Sequence, residues 1–342
     1  MNQKLITFVV PCYNSQEYMD ICIESLLKGG DDVEILIVND GSTDKTGEIA
    51  EEYAKKYPNI VRVLTQENGG HGEGINHGLR EASGIYFKVV DSDDWLDEEA
   101  LPKVLRRLEL CERRGGIDLM ICNYIYDHKD DPKLNRTIKY RNVFPQNGIF
   151  GWDKTKPFLP WQYLTLHSCI YRTQLLIDCG IELPKHTFYE DNLFVYKPLP
   201  YVTRMCYMDV DLYHYLIGRE DQSVSEESLK KKCSHQVLVS KEIFKAHDIK
   251  KIKEDNPKLA RYLYHEVVFI MAIATAFTRL NRTEEAERMV SDMWDDVAAY
   301  DKKLARRVRR ASLAAFVNLP GTKGRDIGLF LYHMCHKFVA FN

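Results

Sequence analysis

Short apolar runs alternate with segments of helical periodicity through the first hundred residues, and nothing else in the chain restricts its fold as much. Residues 5–10 read as a strand, and 15–27 place Tyr18, Ile21, Cys22, Ser25 and Leu26 near helical spacing. The pattern repeats with a strand over 33–38, a helix over 43–57, a strand over 60–64, a glycine-rich loop from Gly69 to Gly74, a helix over 75–82 and a strand over 85–90. Repeated βαβ units predict an α/β fold: a Rossmann-like, mainly parallel sheet flanked by helices, with ligands gathered at the carboxyl ends of the strands. Pro11, Asp40, Asn68 and Asp91 each fall at such an end and are expected to share one crevice.

A charged helix over 101–114 and a strand over 119–126 follow, then a polar excursion over 127–160, a strand over 164–171 and a short helix over 174–179 closed by Gly180. From about residue 225 the pattern is helical, with segments at 235–246, 258–280 and 284–304. These features predict an α/β region over 1–220 and a helical C-terminal region over 221–342. At 342 residues and 45% hydrophobic composition the chain can bury a sizeable core, and a net charge of −3 gives no global reason to expect nucleic acid. Nine cysteines without a C-x-x-C pair form no even-numbered disulfide framework, which suits a reducing compartment. The first apolar run is too short for a signal peptide, and no uninterrupted apolar run reaches about twenty residues. The expected location is therefore cytoplasmic.

Asp91-Ser92-Asp93-Asp94 follows the last of these strands. Strand alternation sends Asp91 and Asp93 to one face, where two hard oxygen ligands can hold Mn2+ or Mg2+ beside a substrate's phosphates. The bland alternative is an acidic loop whose carboxylates cap the helix that follows. Further along, Glu190-Asp191 opens an apolar helix; such a pair suits either a general base or ordinary helix-dipole chemistry.

Four segments, Phe8-Val9-Val10-Pro11-Cys12-Tyr13-Asn14, Ile37-Val38-Asn39-Asp40-Gly41-Ser42-Thr43-Asp44, Asp91-Ser92-Asp93-Asp94 and Phe188-Tyr189-Glu190-Asp191, stand in the order and approximate spacing of family 2 glycosyltransferases. The chain resembles that family over roughly its first two-thirds. The resemblance implies a GT-A nucleotide-sugar-binding catalytic domain and inverting transfer of a sugar from a nucleotide-sugar, usually a UDP-sugar, to a glycan or lipid-linked acceptor of the cell envelope. Asp191 is then the base, with Glu190 orienting it or contacting the acceptor. Asp93 and Asp91 hold the metal, and His214 completes its shell or binds phosphate. On the donor side, Pro11 and Tyr13 offer a rigid turn and an aromatic face for a nucleobase, with packing the alternative for Tyr13. Asp40 accepts from a uracil N–H or caps the following helix. Asn68, Gly69 and Gly70 present backbone N–H groups to the nucleotide, and Arg219, Ser223 and Ser225 offset or bind the diphosphate.

The chain departs from the family in having Gly74-Ile75-Asn76 where Ala-Arg-Asn is common, so a donor-contacting arginine is missing; His71 and Arg80 are substitutes to weigh, against plain surface positions. Trp161 and His167 flank the acceptor or pack in the core. In the tail, Lys302, Lys303, Arg306, Arg307, Arg309 and Arg310 interleave with Leu304, Ala305, Val308 and Phe316, a basic amphipathic helix suited either to peripheral contact with the inner face of a membrane or to packing. Two rival functions remain. A nucleotidyltransferase would need a basic loop after the first strand, where this chain has none, and a noncatalytic nucleotide-sugar scaffold would not need both Asp93 and Asp191.

Overall fold

The computed structural model describes residues 3–128, 131–146, 148–218 and 226–339. It divides into two compact units: Met1–Lys156 with Leu164–Gly218, and Pro157–Tyr163 with the chain after Gly218.

The first unit is built on a ten-stranded sheet. Its strands are β1 (Ile6–Cys12), β2 (Val33–Asp40), β3 (Val61–Gln66), β4 (Tyr86–Val89), β5 (Trp95–Leu96), β6 (Leu119–His128), β7 (Arg136–Ile138), β8 (Ile149–Phe150), β9 (Cys169–Arg172) and β10 (Met205–Ile217). The order is β3-β2-β1-β4-β9-β6-β10-β5, with β7 on β6 and β8 on β10. β3, β2, β1 and β4 are parallel neighbours, as the βαβ pattern requires. Beyond β4 the sheet becomes mixed, because β9 runs antiparallel to both β4 and β6 while β6 and β10 are parallel. Every residue of β1, β2 and β4 is buried, as expected of strands covered on both faces. The helices are α1 (Met19–Leu27), α2 (Thr46–Lys56), α3 (His71–Glu81), α4 (Ala100–Glu112), α5 (Thr173–Asp178) and α6 (Asp191–Tyr196). Where the spacing predicts a strand from 164, the chain first makes a 3-10 turn over Leu166–Ser168, closed by reciprocal bonds between Thr165 and Ser168, and only then enters β9.

α3 lies unusually close to β1. A Cβ on Gly78 would fall 2.4 Å from Val9 Cγ1, and one on Gly74 would fall 3.1 Å from Pro11 Cβ. The glycines that interrupt this helix in sequence are thus the condition for its contact with the sheet.

The second unit is helical among its described residues: α7 (Glu226–Lys231), α8 (Cys233–Lys245), α9 (Ile249–Asp255), α10 (Pro257–Arg279), α11 (Glu284–Tyr300), α12 (Lys302–Arg309), α13 (Ser312–Val317) and α14 (Gly321–Val339). α10 is long and apolar enough to cross a membrane, yet 78% of its most apolar window is buried in the structure. The single basic helix read from the tail is in fact two, α12 and α13, the second opening on Ser312 at a left-handed φ of +37°. Ala305 and Val308, the apolar side of α12, are buried, so packing rather than a membrane receives them. Arg307 lies over the Tyr264 ring and Arg309 over Trp294. Trp161 is 43% exposed, which sets aside its reading as core.

Gly78→Ala tests the close approach. Helix propensity alone favours alanine by about 1 kcal/mol, but overpacking against Val9 costs about 1–3 kcal/mol, so a net loss is expected in the denaturant midpoint. A raised midpoint would mean that Val9 moves aside freely.

Candidate active site

The loops after β1 and β2 are stitched together before any ligand is considered. Asn14 Oδ1 accepts from the Thr43 amide at 2.8 Å, Gln16 Oε1 accepts from the Lys45 amide at 3.0 Å, and the Ser15 amide donates to Thr46 Oγ1 at 2.7 Å. Ser15 and Ser92 hydroxyls, 2.8 Å apart, tie this floor to the acidic turn after β4. Tyr13 stands 55% exposed at the edge, free of the packing that was its alternative, while Pro11 is covered by Gly74.

Asp40 does not cap α2; Asp44 does, accepting from the Thr46 amide at 2.9 Å. Only 3% exposed, Asp40 takes the Gly69 amide at 2.7 Å, the Gly70 amide at 2.8 Å and Gln66 Nε2 at 2.7 Å, and its carbonyl accepts from Asn68 Nδ2 at 2.9 Å. This corrects the expectation for the glycine loop: the Gly69 and Gly70 N–H groups point at a protein carboxylate rather than at an open nucleotide crevice. A buried carboxylate needs such donors, and here the loop is what supplies them.

The acidic turn also departs from the alternation argument. β4 ends at Val89, and the Asp94 amide donates to the Asp91 carbonyl at 3.0 Å, so residues 91–94 form a turn in which first and fourth positions meet. Asp91, Asp94 and His167 offer ligand atoms all within 4.8 Å of one another. Of the expected Asp91, Asp93 and His214, this cluster contains Asp91. Asp93 lies partly exposed beside it. The capping alternative falls to Asp97, which accepts from the Ala100 amide at 2.8 Å and leaves the turn's carboxylates to other work.

His214 faces the other way. Successive β10 side chains alternate, so Tyr213 and Tyr215 share one face and His214 takes the opposite one. There His214 Nδ1 pairs with Asp127 Oδ2 at 2.8 Å, and its ring stacks on Trp95 at 5.1 Å. On the site face, the Tyr213 hydroxyl donates to Asp94 Oδ2 at 2.6 Å and accepts from the Asp91 amide at 3.2 Å. Asp94 Oδ1 accepts from the Leu216 amide at 2.8 Å. His167 is stacked at 4.4 Å on Tyr215 and lies 4.8 Å from the Tyr213 ring, with Nε2 3.9 Å from Asp91 Oδ2. Burial lowers its pKa to about 4, which keeps the imidazole neutral and able to ligate a cation. Its Nδ1 is buried without a hydrogen-bond partner.

Two cations sit among these acids: Lys88, which the motifs did not single out, and His71, weighed above as a substitute for the missing arginine. Lys88, fully buried in β4, donates to the His167 carbonyl at 2.8 Å and lies 4.9 Å from the Tyr213 ring centre; burial lowers its pKa to about 8. Its signal was a lone charge inside an apolar strand. His71 begins α3 and bonds Asp91 Oδ1 at 2.8 Å and Glu190 Oε1 at 2.7 Å, one carboxylate on each ring nitrogen. Burial opposes its charge, but the two carboxylates hold its pKa well above the ordinary value. Against the same opposition His71 holds Asp91 below the usual carboxylate range, whereas burial and the charges of Asp93 and Asp91 push Asp94 well above it.

Glu190 and Asp191 arrive on a loop anchored to α3. Asn76 Oδ1 accepts from the Leu183 amide and Nδ2 donates to its carbonyl, each at 2.9 Å, and the His186 amide donates to the Gly69 carbonyl at 2.8 Å. His186 and Tyr189 take left-handed φ values of +48° and +68°, strain placed directly before the acidic pair. Asp191 opens α6 with its pKa raised to about 7, by burial first and by the charge of Glu190 second. Arg219, Ser223 and Ser225 lie outside the described residues. Arg80 pairs with Glu73 on the surface at 3.0 Å.

Residues 7–172 match the family model described as Glycosyl transferase family 2. The domain over these residues belongs to this family. The chain is 32% identical to EpsH of Bacillus subtilis over 64% of its own length and 62% of that relative, so the alignment leaves over a third of EpsH uncovered. It is 27% identical to the poly(ribitol-phosphate) beta-N-acetylglucosaminyltransferase TarS of Staphylococcus aureus over 86% of its length and 50% of TarS. The crystal structure of TarS 1-349 in complex with UDP-GlcNAc superposes with a TM-score of 0.70 at 22% identity, over 96% of this chain and 92% of that one. The mannosyltransferase PcManGT from Pyrobaculum calidifontis, in complex with GDP-Man and Mn2+, does so with a TM-score of 0.50 at 15% identity, over 93% and 88%. The architecture is the GT-A fold of TarS.

If His167 is a cation ligand, His167→Ala should weaken Mn2+ binding by at least about tenfold, followed by the electron paramagnetic resonance of the free ion. His214→Ala should leave the titration unchanged. Equal effects of the two substitutions would return His214 to the metal shell.

Proposed function

We propose that this glycosyltransferase moves a sugar from a nucleotide-sugar, of the UDP class, to a hydroxyl of a glycan or lipid-linked acceptor with inversion, using Asp191 as general base. The observation that carries the proposal is the raised Asp191 carboxyl, pKa about 7, at the opening of α6 and next to an acid-rich turn able to hold a divalent cation. A carboxylate with that pKa is half ionised at neutral pH and strong enough to take a hydroxyl proton as its oxygen attacks. Ordinary carboxylates near pH 4 are weaker bases by several units. TarS binds UDP-GlcNAc in its crystal structure, which supports a UDP-sugar as donor.

The residues divide the work. Asp191 accepts the acceptor's proton, and Glu190 keeps that carboxyl basic through its neighbouring charge. Tyr13 offers an exposed aromatic face on which a nucleobase can stack. Asp91, the Asp94 carboxyl and the neutral His167 imidazole would offer two oxygen donors and one nitrogen, a set suited to Mn2+ and acceptable to Mg2+, with Asp94 giving up its proton when a cation binds. What such a cation supplies when bound is neutralisation of the diphosphate's charge. Lys88 and the tyrosines beside it hold the turn and His167 in place.

UDP-sugar hydrolysis in the presence of Mn2+ tests the reading without an identified acceptor. Activity should rise with pH up to about 7 and level above it, because the base works only in its deprotonated form and its pKa is raised. Asp191→Asn should retain UDP binding and lose about a hundredfold or more in rate. Wild-type rate in that variant would move the base elsewhere, with Glu190 the next candidate; UDP binding without any turnover in the wild type would favour the scaffold reading.

A further inference from the structure

His71 is the only side-chain partner of the Glu190 carboxylate among the described residues, and the same ring holds Asp91. The two bonds run in opposite directions: one to the turn after β4, where a donor diphosphate and cation would sit, the other to the acidic pair that opens α6. The surroundings are shaped for this bridge. Gly70, at φ +84°, turns the chain into α3 so that His71 is its first residue, and a Cβ there would meet the His186 amide at 2.9 Å. Gly72 leaves the gap that Glu190 fills; a Cβ on it would fall 2.9 Å from Glu190 Cγ and 3.0 Å from the Pro184 carbonyl. Glu190 itself is 3% exposed, so its carboxylate has little solvent to turn to if the imidazole is removed.

We propose that His71 is a positioning residue that couples the donor side of the site to the base: it fixes Glu190 relative to Asp91, and through Glu190 sets where Asp191 stands. The proposal rests on the reading of Asp191 as base and of the acidic turn as the donor-diphosphate site. His71 touches neither donor nor acceptor in this scheme. It does its work by holding two carboxylates, borne by elements far apart in sequence, at one separation. Because positioning acts on the transition state more than on ground-state binding, its loss should appear in kcat.

A double-mutant cycle over His71→Ala and Glu190→Gln separates this role from general support of the fold. On UDP-sugar hydrolysis, each single variant should lose about tenfold or more in kcat, with donor KM changed by less than about threefold. The double variant should lose no more than the worse single. Losses that multiply would overturn the proposal. The same cycle read by calorimetry, with UDP titrated in the presence of Mn2+, supplies a readout that needs no turnover: Glu190→Gln should shift UDP affinity measurably, though by less than about threefold, when His71 is present and leave it unchanged when His71 is alanine. An equal shift in both backgrounds would again overturn the coupling. A wild-type protein that binds UDP without hydrolysing its sugar ester would instead refute the proposed function, and the binding cycle would still decide the coupling. Gly72→Ala attacks the bridge from the other side, leaving His71 intact while crowding Glu190, and should lower kcat in the same way; full activity there would count against the proposal. If circular dichroism shows His71→Ala unfolded, His71→Gln, which keeps one donor, takes its place in the cycle.

Discussion

The close contact of α3 with β1 is the constraint on which the rest of the site depends. With Gly78 against Val9 and Gly74 against Pro11, the helix sits low on the sheet. Its first turn therefore reaches the carboxyl ends of β1 and β4. From that height His71 meets Asp91, Asn76 grips the backbone of Leu183, and Gly69 receives the His186 amide. A helix with ordinary side chains at these positions would ride higher and carry the loop before α6 away with it. The glycines cost helix propensity, roughly 1 kcal/mol each, and what they give in return is distance.

The second constraint is electrostatic. Asp91, Asp93, Asp94, Glu190 and Asp191 crowd one region, and like charges at such range repel strongly where water is excluded. The structure answers in three ways. His71 neutralises Asp91 and Glu190 directly; Lys88 lies beneath Tyr213 as a buried countercharge; and Asp94 is pushed toward its neutral form while two donors hold its oxygens. Asp191 is raised by burial first and by the charge of Glu190 second, with His71 pulling less strongly the other way.

Much of this could be read in the sequence, and the misses share a cause. β1, β2 and β4 were legible because parallel strands covered on both faces read as continuous apolar runs, and the acidic motifs were legible as strings. Which acids meet was not. Period-two reasoning holds only while the chain is a strand, and β4 ends two residues before Asp91, so Asp94 rather than Asp93 joins Asp91. On β10 the strand does continue, and there alternation turns His214 toward Trp95 while Tyr213 faces the acids. The amides of Gly69 and Gly70 are bound by Asp40, a partner some thirty residues away that no local pattern announces. In the tail, hydrophobic spacing located the buried face of α12 but not the break at Arg310 and Ala311 that separates it from α13.

The anchoring of the segment from Leu183 to Glu190 on α3 has a consequence for how such an enzyme can change. Its acidic pair is mounted on the same helix that abuts the first strand, and not on the polar excursion between β6 and β9. If Asp191 is the base proposed above, the excursion can change in length and composition without moving it, because the two are carried on separate parts of the chain.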